Sequence, residues 1–220
     1  YAVTLEGRLR RVLQLASNMT LHDITKDGRV LVGHGPERAG INAYEPGKNR
    51  ERDLSWLDWS LLQDISDDGK TFLLDETAEG SGASGSVYIR ATDGSPAVRL
   101  GDGAGRALSA DGKWVVAGGV SSFAEGRLQL LPTGVGEPRE IQTEGLYCHM
   151  ARWFPDGRQL VVTAHEAGHG VRLYKVDSVT GGWQALSPEG INPIEFHVLP
   201  DGSGVAAVGA DEEHWIYPVD

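Results

Sequence analysis

The chain has 220 residues, 40% of them hydrophobic, which is enough for one soluble globular domain. Its net charge of −11, from 31 acidic against 20 basic residues, argues against nucleic acid or an anionic membrane as a partner. The single cysteine, Cys148, excludes an intramolecular disulfide, and no apolar stretch approaches the length of about 18 residues that insertion into a membrane requires.

Tyr1 opens the chain with neither Met nor a signal peptide, so a piece of a longer parent is expected. Residues 1–17 read as two strands, Tyr1 to Glu6 and Arg8 to Leu15. From there one turn recurs five times, as HDITKDGRVLV (22–32), QDISDDGKTFLL (63–74), ALSADGKWVVA (107–117), ARWFPDGRQLVV (151–162) and FHVLPDGSGVAA (196–207). The Asp residues of the Asp-Gly pairs stand at 27, 68, 111, 156 and 201, so the spacings are 41, 43, 45 and 45 residues. That is the length of a four-stranded propeller blade. Asp-Gly between apolar runs predicts a hairpin, because glycine accepts the positive φ of a tight turn and aspartate bonds locally to backbone.

Within each repeat the turn joins a first strand, a, to a second, b. Strand b is an almost unbroken apolar run: Val30 to Val32, Phe72 to Leu74, Trp114 to Ala117, Leu160 to Val162 and Val205 to Val208. Burial on both faces is the expectation. Third and fourth strands, c and d, follow in the complete repeats, for example at Ser86 to Arg90 and Ala97 to Leu100. The expected fold is therefore all-β: a β-propeller of four-stranded antiparallel blades with about five repeats, four complete and partial blades at both termini. The repeats lie near 20–57, 60–103, 105–145, 147–190 and 192–220, with 1–17 as strands c and d of a partial blade. Two arrangements fit. Either the N-terminal strand d closes a five-bladed ring, or the chain is an arc of a larger propeller whose open edges favour self-association.

Ser66-Asp67-Asp68-Gly69-Lys70, Ser109-Ala110-Asp111-Gly112-Lys113 and Phe154-Pro155-Asp156-Gly157-Arg158 resemble the once-per-blade hairpin of TolB-type propellers. Arg52 to Glu76 and Ser86 to Gly103 further resemble propeller regions at the C-terminus of bacterial receptor-like serine/threonine kinases. The resemblance implies a sensor or interaction module of a larger receptor-like protein, binding a protein or small ligand; it favours an extracytoplasmic location and leaves a cytoplasmic one open. No kinase motif is present, so a kinase would lie outside this sequence.

His165-Glu166-Ala167-Gly168-His169 matches the zinc-protease pattern, in which a helix sets two histidines on one face around a general base. Here it lies between two strands and Gly168 and Gly170 disfavour a helix, so an exposed loop is expected. Four residues before each turn Asp stand Asp23, Asp64, Ala107, Arg152 and His197, each followed by an apolar residue. Strand alternation puts the two sets on opposite faces. Asp23, Asp64, Arg152 and His197 are thus candidates for a ligand-binding channel, with His149 and Glu195 nearby. Otherwise they solvate the channel or bond adjacent blades. Trp56 and Trp59 are candidates for an interaction patch if they are not packing residues. No cofactor is expected. The function expected is a non-enzymatic binding module. The alternative is a hydrolase, either a carboxylate-dependent glycosidase or a metal-dependent enzyme, and a structural spacer is a third possibility.

Overall fold

The computed structural model describes residues 2–11, 19–34, 38–45, 47, 50–77, 85–119, 128–143 and 145–219. The chain divides into two compact units, Tyr1–Ala39 and Gly40–Asp220. In the first, β1 (Ala2–Val3) pairs with β2 (Leu9–Arg10), and β3 (Met19–Ile24) pairs with β4 (Val30–His34) across the first Asp-Gly turn. Leu21, Ile24, Val30 and Leu31 of the second hairpin are exposed. The strand expected over Arg8 to Leu15 begins at β2, and residues 12–18 lie outside the described residues.

The second unit opens with the hairpin of β5 (Asn42–Tyr44) and β6 (Glu51–Asp53). Three four-stranded antiparallel blades follow. The first contains β7 (Ser60–Ile65), β8 (Thr71–Glu76), β9 (Ser86–Ala91) and β10 (Val98–Asp102), and the second β11 (Ala104–Leu108), β12 (Trp114–Gly118), β13 (Leu128–Pro132) and β14 (Arg139–Ile141). The third contains β15 (Tyr147–Trp153), β16 (Gln159–His165), β17 (Arg172–Asp177) and β18 (Trp183–Ala185). A three-stranded sheet of β19 (Phe196–Val198), β20 (Gly204–Val208) and β21 (His214–Pro218) completes the unit. The repeat expected over 20–57 appears as two hairpins, β3–β4 in one unit and β5–β6 in the other.

The turns form as their sequences require. Gly28, Gly69, Gly112, Gly157 and Gly202 have φ of 83, 67, 67, 65 and 73°, a region open to glycine and costly for other residues. Ser66 and Ser109 donate their hydroxyls to Asp68 and Asp111 at 2.8 and 2.7 Å. Asp68 also accepts the Lys70 N–H at 3.0 Å, and these bonds hold its carboxyl below the usual range.

Strand b carries the core, because its alternate side chains enter different blade interfaces. Leu160 and Val162 join Val116, Leu130 and Tyr174 in one cluster, while Val161 joins Phe154, Phe196 and Val205 in the next. Leu73 packs with Val115 and Leu131, and Phe72 and Leu74 with Ile41 and Leu54. The unbroken apolar runs are thus explained: each face of β8, β12 and β16 meets a neighbouring sheet. The first strands lie side by side, with β11 contacting both β7 and β15, and β15 contacting β19.

Candidate functional site

The ends of those first strands and the turn residues that follow them line a cleft of about 370 Å³. Its walls come from four repeats in the same register: Asp64 to Asp67, Ala107 to Ala110, Arg152 to Pro155 and Val198 to Pro200. All lie within the four residues before a turn Asp. Ile65 is exposed there, and Trp153 is half-buried. Trp153 also packs against the core cluster of β12 and β16, and its indole N–H is buried with no hydrogen-bond partner.

Asp64 and Arg152 meet in this cleft, but both are also structural. Asp64 Oδ1 accepts the N–H of Ile65 and Oδ2 that of Leu108, each at 2.8 Å, so one carboxylate ties β7 to β11. Arg152 Nη1 donates to the Arg106 carbonyl at 2.8 Å and ties β15 to β11 from the other side. His197 is exposed and does not line the cleft, although Val198 next to it does. Asp23 lies in the first unit, where its Oδ1 accepts the Ile24 N–H at 2.8 Å, the same local bond that Asp64 makes. Glu195 is exposed, outside both described clefts. Trp56 packs against the cluster of Ile41, Leu54, Phe72 and Leu74, and the Arg90 guanidinium sits 5.4 Å from its ring centre. Trp59 is half-buried.

His149 belongs to a second cleft, of about 610 Å³, towards the start of β15, which it shares with Arg106, His165 and His169. Strict alternation counted from the turn does not place these residues, because the first strands carry bulges. Pairing slips between Leu62 and Asp64, between Gly105 and Ala107, and between Cys148 and Met150. The extra residues are Gln63, Arg106 and His149, and a bulge redirects the side chains around it. An arginine or histidine at such a position, in a strand otherwise apolar and small, was the available signal for Arg106.

Beside Arg106 lies Asp75, almost fully buried, whose Oδ1 accepts the Gly105 N–H at 2.7 Å. Burial pushes its carboxyl up to about 7, against the lowering influence of that bond, of Arg106 and of Gln63. Burial likewise pushes the Cys148 thiol up to about 12, which makes it a poor nucleophile at neutral pH.

His165 ends β16, and Glu166 to His169 form the turn to β17, closed by the His169 N–H bonding to the Glu166 carbonyl at 3.0 Å. The two histidines are consequently directed to different partners. His165 Nδ1 lies 2.9 Å from His149 Nε2, and His169 Nδ1 lies 3.0 Å from Glu189 Oε1. Among the described residues no group of three or more His, Cys, Asp or Glu is placed to hold a metal ion.

No family model and no curated protein sequence matches the chain. Solved structures do match. TolB from Acinetobacter baumannii superposes with a TM-score of 0.62 at 15% identity, over 83% of this chain and 49% of that one. Oligogalacturonate lyase in complex with manganese gives 0.62 at 13% identity, over 81% and 55%. A puromycin-hydrolyzing peptidase of Mycobacterium tuberculosis gives 0.61 at 14%, over 90% and 36%. This chain thus spans about half the length of the TolB structure. The expectation that the protein is not an enzyme is corrected by these likenesses, since a lyase and a peptidase share the architecture. At such identities the likeness establishes architecture alone, and this chain has a TolB-like β-propeller fold.

Proposed function

We propose that the chain is a binding propeller whose 370 Å³ cleft receives an extended segment of a protein partner. One observation carries this reading: four successive repeats deliver the same segment, the strand end and turn residues before the turn Asp, to a single concavity. The cleft combines apolar surface from Ile65, Trp153, Pro155 and Pro200 with the polar side chains of Arg152 and Asp67. An extended peptide offers what such a surface needs, with carbonyl acceptors for the guanidinium and side chains for the apolar walls. The resemblance of 52–103 to propeller regions of receptor-like kinases supports a place for this binding face in a larger receptor-like protein.

The test is a selection of displayed random peptides on the whole chain. Enriched peptides are expected to bind the wild type and to lose roughly tenfold or more in affinity on Arg152→Glu and on Ile65→Asp. Their binding should be unchanged on Ile194→Glu, a substitution in the other cleft. Peptides that bind Arg152→Glu and Ile65→Asp as well as wild type would place recognition elsewhere.

A further inference from the structure

The second cleft differs in character from the first. Met150, Val171 and Ile194 give it apolar walls, and every ionisable side chain that lines it is basic: Arg106, His149, His165 and His169. No carboxylate lines it among the described residues. The carboxylate at its rim, Glu189, is already saturated. Glu189 Oε1 accepts from His169 Nδ1 at 3.0 Å and from Arg172 Nη2 at 2.9 Å, and Oε2 accepts the Gly170 N–H at 3.0 Å. These bonds fix the rim and hold Glu189 down to about 2.

Two features call for an anion. Arg106 donates Nη2 to the Gly119 carbonyl at 3.0 Å, but its Nε is buried with no hydrogen-bond partner. That atom is closed to solvent, so what the cleft offers an anion is the charge of the guanidinium beside three imidazoles. Burial pushes the carboxyl beside it, Asp75, up to about 7, and the charge of Arg152 adds to that of Arg106. Two of the histidines are held by ring contacts. His149 and His165 stack with ring centres 5.0 Å apart, Tyr147 stacks on His165 at 5.1 Å, and His149 is buried.

A free inorganic anion would leave the apolar walls in water, and an uncharged apolar ligand would leave the basic side chains without a counter-charge. We infer that this cleft binds a small organic monocarboxylate, its carboxylate against Arg106 and the histidines and its apolar body against Met150, Val171 and Ile194. The volume, about 610 Å³, is in the range of small-ligand sites. The inference does not depend on the peptide reading of the other cleft.

Titration calorimetry on the whole chain with 4-phenylbutyrate, and with its uncharged amide as control, tests the proposal. The acid is expected to bind at one site and the amide roughly tenfold or more weaker. Arg106→Gln should weaken the acid to a similar degree and leave the amide unchanged. Ile194→Glu, made at an exposed wall position where folding is not at stake, should also weaken the acid roughly tenfold or more. Ile65→Asp should have no effect. Equal binding of acid and amide, no binding of the acid, or acid binding unmoved by Ile194→Glu would each overturn the proposal. So would one equivalent of zinc bound at the imidazoles to the exclusion of the acid.

Discussion

Gly112 has a φ of +67° and open space where a β-carbon would stand, so replacing it is a matter of backbone strain rather than collision. Gly112→Val should therefore cost roughly 1 to 3 kcal/mol in unfolding free energy. A loss below about 0.5 kcal/mol in urea denaturation would show that the turn relaxes to accept a side chain. This residue-level feature was fully legible in the sequence, because Asp-Gly chemistry is local. Arg106 was not. Its place in the second cleft depends on a bulge, and a bulge depends on the partner strand β12 rather than on the residues before Arg106. His165 was legible only as part of a misleading pattern. Its partner, His149, lies 16 residues earlier and reaches it by pairing of β15 with β16.

At the scale of strands, the residue four positions before the turn is an inter-blade fastener in two repeats, as Asp64 and as Arg152. Asp64 spends both carboxylate oxygens on backbone N–H groups, one of them in β11. Asp64→Ala leaves the Leu108 N–H without its acceptor and should cost about 1 to 3 kcal/mol, while Asp64→Asn, which keeps one acceptor oxygen, should cost less. Equal stability of all three proteins in thermal and urea unfolding would mean that water replaces the bond without loss. Both roles considered for these positions, lining a cavity and bonding adjacent blades, coexist in Asp64 and Arg152. Sequence periodicity recovered strand b in the last four repeats because burial on both faces leaves an unmistakable apolar run; in the first, Val30 and Leu31 are exposed, against the expectation of burial. It failed for the fine geometry of strand a, whose bulges shift the side-chain register before the last four residues.

At the scale of the molecule, the repeat spacing revealed a propeller, but the spacing does not encode the packing between neighbouring sheets. The same packing creates a pH dependence that no local sequence feature announces. Asp75 lies between β8 and β11, and burial raises its carboxyl from 3.8 to about 7 in the folded protein. Between those values the folded state holds a proton that the unfolded chain has released. This group's effect on stability therefore worsens as pH rises through that window, and the full loss is present above about pH 7. A shift of about three units corresponds to at most roughly 4 kcal/mol. Asp177 and Glu189, both held down to about 2, add stability that is lost as pH falls below their unfolded values of 3.8 and 4.5, so they add little to the slope above about pH 5. Asp75→Asn removes the ionisation while keeping an oxygen for the Gly105 N–H. Unfolding free energies measured from pH 5 to 8 should fall more steeply for wild type than for Asp75→Asn, the variant gaining most at pH 8. Parallel profiles for the two proteins would mean that Asp75 is ionised throughout and that Arg106 already has its counter-charge, which would also remove one support for an anion in the second cleft.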